Sequence, residues 1–310
     1  MTQGYDIRLI APSGYPHNPE AMARGIARLE EAGHRVQGKD VLARRELRFA
    51  GSDAERAADI NALADPSKPL PDVALAIRGG YGAHPLLPLL DYDGLRQRLG
   101  DAPLALVGHS DFTALQCALF ARSGLVTLGG PMLGADFGAP QLDAQTWEHF
   151  WATLAADEGR ASWTAPGTPD LEVEGTVWGG NLAMLTSLIG SPYFPGIDGG
   201  ILFVEDVAEP AYRVERMLYH LLHAGVLARQ KALVIGDFTG SRSSEYDNGY
   251  DLDATFERIA LVAGIPIARG LPFGHDAAKF TLPFGAPGRL AVADGTAVLT
   301  FSGHPRPKTP

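Results

Sequence analysis

The chain is predicted to be an α/β protein, with an N-terminal domain built on a parallel sheet and a smaller, strand-rich α/β domain after it. Three observations carry the prediction. Short, continuously apolar runs alternate with helical patterns through the first half, as expected for strands covered on both faces. Two of those runs, Val73–Ile77 and Leu104–Val107, end in glycine-containing turns. The last third holds closely spaced strands, including a hairpin signal at Asp294-Gly295.

The elements read in order as follows. Ile7–Pro12 is a short strand closed by Pro-Ser-Gly. Asn18 is a good N-cap, Pro19 fits the first helical position and Gly33 the left-handed stop. Between them Met22, Ile26 and Leu29 form an apolar stripe. The strand Val73–Ile77 runs into Arg78-Gly79-Gly80-Tyr81-Gly82, and Leu104–Val107 runs into a helix from Asp111 to about Ala121. Polar residues, glycine and two prolines between Asp157 and Asp170 read as a linker. The expected division is 1–156 for the first domain, 157–172 for the linker and 173–310 for the second. In that second part a helix Asn181–Ile189 precedes the strand Ile201–Val204. The helix Tyr212–Ala224 carries Val214, Met217, Leu218, Leu221 and Leu222 and stops at Gly225, before the strand Ala232–Ile235.

Composition narrows the function. The 310 residues are 45% hydrophobic and 20% charged, an ordinary globular balance, with a formal net charge of −10. That acidity argues against nucleic acid or an anionic membrane as partner. No run approaches the ~18 apolar residues of a membrane helix. Met1–Asp6 has neither a basic nor a long apolar leader region, so a cytoplasmic location is expected. The single cysteine, Cys117, lies in an apolar run and reads as a buried, inert thiol.

The strongest chemical signal is Leu106-Val107-Gly108-His109-Ser110-Asp111-Phe112. A strand turns through Gly-x-Ser into a helix, the setting of a nucleophile elbow, although Phe112 stands where a second glycine is usual. Ser110 would then sit at the carboxyl end of a sheet strand, where sites of α/β proteins lie. The Asp111 N–H could hold a developing oxyanion. Helix capping by Ser110 or Asp111 is the simpler alternative. An N–H near Gly80 offers a second oxyanion donor, or Gly79-Gly80 is a plain tight turn. Glu205 closes the apolar strand Gly200–Val204 and is either a site acid or, with Asp206, a helix-start acid; Asp206 and Glu209 fit the latter better. His275 lies in a Gly- and Pro-rich loop and is one of nine histidines. His109 adjoins Ser110, but neighbours on a tight turn point apart. His220 and His223 fit a helix surface.

Taken together, Arg78–Gly82, Gly108–Asp111, Gly130–Met132, Trp178–Asn181, Leu202–Asp206, Tyr212–Met217, Gly274-His275 and Leu282–Gly285 resemble the LD-carboxypeptidases, muramoyltetrapeptide carboxypeptidases of the serine-peptidase group that also holds microcin C immunity proteins. The similarity runs from Ala11 to Pro305. It implies a flavodoxin- or Rossmann-like first domain, a homodimer and no metal or other cofactor. It implies a triad of Ser110, Glu205 and His275, and release of the terminal D-alanine from a murein tetrapeptide in cell-wall recycling. The site would form between the two domains, with Tyr81, Trp178 and Asn181 as candidate substrate contacts. The rival readings are an immunity-like hydrolase of peptidyl nucleotides, a non-catalytic ligand-binding protein, and a metalloenzyme using His109, His275 and acids. An elbow at Ser110 further requires a backbone conformation outside the common helix and strand regions.

Overall fold

The computed structural model describes residues 4–307, so Met1–Gln3 of the N-terminal reading lie outside the described residues. Two sheets make up the frame. The first has six strands: β1 (Asp6–Ile10), β2 (Arg35–Gln37), β3 (Val73–Ala76), β4 (Ala105–Gly108), β5 (Thr127–Gly129) and, from far along the chain, β11 (Leu282–Phe284). Their spatial order is β11-β5-β4-β3-β1-β2, and every pair is parallel except β11 against β5. The second sheet has seven strands: β6 (Glu158–Thr164), β7 (Leu171–Asn181), β8 (Ile201–Val207), β9 (Ala232–Thr239), β10 (Ile267–Ala268), β12 (Ala286–Ala293) and β13 (Thr296–Ser302). Its order is β10-β9-β8-β7-β12-β13-β6; the first four are mutually parallel and the rest antiparallel.

The strands form where the apolar runs lie. Every residue of β3 and β4 is buried, as a parallel strand covered on both faces requires. Asn18 caps the helix Pro19–Glu31 by accepting from the Ala21 N–H at 3.1 Å, and Gly33 follows with φ 93°. Asp294 (φ 49°) and Gly295 (φ 70°) form the two-residue turn between β12 and β13, where both positions need left-handed backbone.

Two expectations are corrected. The segment 157–172 contains strand β6, which pairs along its length with β13 at the sheet edge. Its alternation was visible in sequence: Gly159, Ala161 and Trp163 point inward, Arg160, Ser162 and Thr164 outward. The prolines and charges flanking it suggested a linker instead. Further, the second half of the chain returns β11 to the first sheet, against Thr127–Gly129. The halves of the sequence are therefore interlocked by backbone hydrogen bonds.

The helix Thr113–Ser123 sits at the junction. Its residues Thr113 to Leu119 are all buried, as expected of a helix covered on every side. It shares one apolar cluster with Ala76 and Leu106 of the first sheet and with Trp178, Leu202 and Val204 of the second. Cys117 is part of that cluster, fully buried, and burial pushes its thiol pKa up, so it is inert. Among the described residues no helix is long and apolar enough to cross a membrane.

Candidate active site

Ser110 follows β4 and has φ 63°, a left-handed conformation that costs a non-glycine residue about 1–3 kcal/mol. This is the conformation an elbow requires. The turn continues as a short 3-10 segment, Ser110–Phe112, before the α-helix Thr113–Ser123. Phe112 explains the departure from a second glycine. It is fully buried, and its ring covers Gly108 so closely that a Cβ there would fall 2.6 Å from it. The glycine before the serine makes room for the aromatic after it.

Glu205 lies in β8, opposite Asn181 of β7, and is fully buried. Across from it β9 carries extra chain: Val204 pairs with Ile235 and Asp206 with Phe238, so Gly236 and Asp237 both face the single Glu205. Such a bulge bends a strand end and re-aims its side chains. Gly274, at φ 155°, lets the next loop pass directly over the carboxylate; its Cβ would lie 3.3 Å from Glu205 Oε2. His275 follows it.

These elements bring the three residues into one chain of hydrogen bonds. His275 Nδ1 donates to Glu205 Oε2 at 2.7 Å, and Ser110 Oγ donates to His275 Nε2 at 3.0 Å. The carboxylate at Nδ1 fixes the imidazole tautomer and leaves Nε2 free to take a proton. Burial by itself favours the neutral ring. The hydrogen bond to Glu205 and the charges of Glu205 and Asp206 outweigh it, so the His275 pKa is raised above its usual 6.5. A base acts only when neutral, so activity should fall as pH drops through a raised pKa. The acid limb of kcat/KM is therefore expected to have its midpoint above pH 6.5, which a pH–rate profile measures directly.

A surrounding network holds this chain. Asn181 Nδ2 donates to Glu205 Oε1 at 3.2 Å and to Asp206 Oδ1 at 3.0 Å. Asp206 also accepts from the Ala183 N–H at 3.0 Å, at the start of the helix Leu182–Ser187. Burial raises the pKa of Asp206 to about 6. Asp237, on the bulge, is likewise raised to about 6, by burial and then by the charge of Asp276. Lys279 Nζ forms a buried ion pair with Asp136 and donates to the Asp276 carbonyl at 2.7 Å, which fixes the loop that carries His275. His109 is buried, its Nδ1 donates to the Gly130 carbonyl at 2.9 Å, and burial lowers its pKa to about 4. It is a neutral wall of the site rather than a base for Ser110.

The Gly79-Gly80 turn lies against Ser110. Gly79 abuts the nucleophile: a Cβ there would lie 2.8 Å from both Cβ and Oγ of Ser110 and 3.4 Å from the Asp111 nitrogen. The Gly79 carbonyl accepts from the Gly14 N–H at 3.2 Å. In a trans peptide the N–H opposes the C=O, so the Gly80 N–H points away from Gly14. The Asp111 side chain is turned elsewhere, accepting from Ser13 Oγ at 2.6 Å and the Ala83 N–H at 2.9 Å, and burial raises its pKa. Those contacts hold the turn while its backbone N–H stays at the helix start, where such groups have no partner within the helix. Gly79→Ala is expected to displace Ser110 Oγ and lower kcat by about 100-fold with little change in folding, seen by steady-state kinetics beside a thermal melt.

A cleft of about 640 Å³ opens over Ser110 and His275, lined also by His17, Met22, Arg78, Gly80, Met132 and Asp276. Of the expected substrate contacts, two are misplaced. Trp178 is 1% exposed and its indole N–H donates to Gln230 Oε1 at 3.0 Å, so it is a core residue. Asn181 is 5% exposed, and its side chain is spent on the two acids and on capping its helix. The Trp-Gly-Gly-Asn motif has a different task. A Cβ at Gly180 would lie 2.5 Å from Thr113 Oγ1, which accepts from the Asn181 N–H at 3.1 Å. The bare glycine lets the helix behind Ser110 dock on the end of β7, beside Glu205. Tyr81 is exposed and lines a neighbouring recess with Tyr15, Arg48 and Arg78. Asp206, read as an acid of the next helix, instead belongs to β8 and the Glu205 network. Glu209 does belong to that helix start, paired with Arg213. His220 and His223 are exposed on their helix, as expected. Among the described residues no group of three or more His, Cys, Asp or Glu is spaced to hold a metal ion.

Sequence reasoning missed Gly79, Arg78, Asp136, Asp237 and Lys279. The Arg-Gly-Gly turn was the available signal for the first two. Asp136, Asp237 and Lys279 sit in segments whose pairing is long-range, and nothing local marks them.

Comparison with known proteins agrees with this architecture. Residues 7–130 match the model of the LD-carboxypeptidase N-terminal domain and residues 174–290 that of the C-terminal domain. A putative carboxypeptidase of Streptomyces coelicolor is 36% identical over 307 residues, covering 96% of this chain and 94% of that one. The crystal structure of a muramoyltetrapeptide carboxypeptidase from Oxalobacter formigenes superposes with a TM-score of 0.87 at 41% identity, covering 96% of this chain and 99% of that chain. The microcin C7 self-immunity protein of Escherichia coli is 28% identical over 306 residues, 87% of this chain and 84% of its own. With both halves of the chain matched in order and a solved relative superposing over nearly its whole length, this protein belongs to the LD-carboxypeptidase family.

Proposed function

We propose that this protein is a serine LD-carboxypeptidase that releases the terminal D-alanine of murein tetrapeptides. The observation that carries the reading is the continuous Ser110–His275–Glu205 hydrogen-bond chain at a strained Ser110. Similarity to a muramoyltetrapeptide carboxypeptidase supports the choice of substrate. Its identity of 41%, against 25% for the solved microcin C7 self-immunity protein, favours the peptidase over the immunity-like reading.

In this mechanism Ser110 Oγ attacks the carbonyl of the L,D bond as His275 Nε2 takes its proton. Glu205 orients the ring and stabilises the imidazolium. The N–H groups of Asp111 and Gly80 receive the oxyanion, each such donor being worth about 100- to 1000-fold in rate. His275 then protonates the departing amine. D-Alanine leaves, and an acyl-enzyme ester remains on Ser110. Water, deprotonated by the same histidine, attacks the ester; the tripeptide acid leaves and Ser110 regains its proton. No metal takes part, so activity should survive chelators. The N-terminal half supplies the nucleophile and the C-terminal half the acid and base. A cytoplasmic, homodimeric enzyme is part of the same proposal. Incubation with a murein tetrapeptide tests it: free D-alanine and the tripeptide should appear in equal amounts. A folded protein that releases no D-alanine sinks the reading.

A further inference from the structure

We propose that Arg78 binds the terminal carboxylate of the peptide and so makes the enzyme an exopeptidase, an inference that rests on the carboxypeptidase reading. In a C-terminal peptide bond the carboxylate lies only two bonds beyond the scissile nitrogen. The cation that reads it must therefore stand beside the nucleophile.

Arg78 stands there. It lies two residues past β3, the strand that pairs with the β4 strand preceding Ser110, and the residue after it, Gly79, abuts the Ser110 side chain. Both Arg78 and Ser110 line the cleft. Lys279 is committed to Asp136, whereas Arg78 forms no ion pair among the described residues. Its hydrogen bonds use Nη1, which donates to the Tyr15 carbonyl at 2.9 Å and lies 2.7 Å from His17 Nδ1. Among the described residues Nε and Nη2 have no partner and are left for another acceptor.

A half-buried guanidinium with no acid beside it is costly, and burial here works against its charge. An incoming carboxylate relieves that cost and matches the planar fork of donors. The glycines around it keep the approach open. A Cβ at Gly14 would lie 3.2 Å from Nη1, and one at Gly80 3.4 Å from Nη2. In a chain of net charge −10, this uncompensated cation is a local attractor for an anionic peptide end.

The test measures binding rather than turnover. Ser110→Ala protein is titrated with a murein tetrapeptide and with the same peptide amidated at its C-terminus, then compared with Ser110→Ala/Arg78→Gln and Ser110→Ala/Arg78→Lys. With Arg78 present, the free acid should bind about 10- to 100-fold tighter than the amide. Arg78→Gln should weaken the acid to the level of the amide and leave the amide unchanged; Arg78→Lys should keep part of the preference. The acid-to-amide ratio is taken on one preparation, so partial misfolding does not alter it. A ratio that survives Arg78→Gln, or acid and amide weakened equally, overturns the inference. A wild type that releases D-alanine, with Ser110→Ala binding acid and amide alike, overturns the inference alone. A wild type that releases no D-alanine overturns the reading beneath it.

Discussion

Ser110→Ala is expected to lower kcat for D-alanine release by about 10⁴- to 10⁶-fold while leaving tetrapeptide binding within a few-fold of wild type. Among the described residues the hydroxyl bonds only to His275 Nε2, at 3.0 Å, so its loss leaves no buried group stranded. The backbone strain at Ser110 persists in alanine, and folding should be little changed. Any remaining rate would come from the oxyanion donors and from binding. A single-turnover assay with a fluorescent tetrapeptide gives the chemical step, and a thermal melt checks the fold. Comparable release by wild type and mutant would remove Ser110 from the mechanism, exclude the non-catalytic reading and leave the metal-dependent one in play.

Glu205→Gln should lower kcat by about 10³- to 10⁴-fold, for a reason specific to this network. The glutamate accepts on both oxygens, from His275 Nδ1 at 2.7 Å and from Asn181 Nδ2 at 3.2 Å. A glutamine that keeps its oxygen toward His275 turns its amide N–H groups against those of Asn181. The flipped amide satisfies Asn181 and donates to His275 Nδ1. That places the ring proton on Nε2, where it can no longer take the proton of Ser110. Loss of the buried carboxylate also removes the main support of the imidazolium. Glu205 raises the His275 pKa in the wild type, so the residual activity should have its acid limb shifted to lower pH. A kcat loss with an unmoved acid limb would mean that Glu205 only shapes the loop. Stability should not suffer greatly, because the change removes a fully buried acid of similar volume.

The same His275 shift has a sign for stability. A folded-state pKa raised above 6.5 means that protonated His275 binds its partners in the folded state. That contribution is fully present below about pH 6.5 and is lost as pH rises through the folded pKa.

Some of the site was legible because its cause is local. An apolar strand, a glycine, a serine and a helix follow one another at Leu106–Thr113, and backbone sterics alone then favour an exposed hydroxyl at the strand's end. The acid after the apolar run Ile201–Val204 of β8 was visible in the same way, although its role was not. His275 had no such local signal: it is one of nine histidines, in a loop like others, and resemblance to the family marked it. Trp178 and Asn181 were misjudged because a motif records which residues are present and not which way they face. Their inward orientation follows from the pairing of β7 with β8 and from the bare Gly180 against Thr113. Segment 157–172 was misjudged because its alternation was outweighed by flanking prolines, and its partner, β13, is far along the chain.

By itself the sequence determined the α/β class, the strand-to-helix elbow, the caps and hairpin turn, the inert buried thiol and the family. All but the family depend on residue type and near-neighbour spacing, and the family on the order of short motifs along the chain. The tertiary structure decided which carboxylate faces which imidazole, the bulge that aims Glu205, the Lys279–Asp136 pair beneath the His275 loop and the uncompensated Arg78 in the cleft. Each of these joins segments distant in the chain, and it is the burial created by that joining that gives the side chains their direction and shifts several of their pKa values.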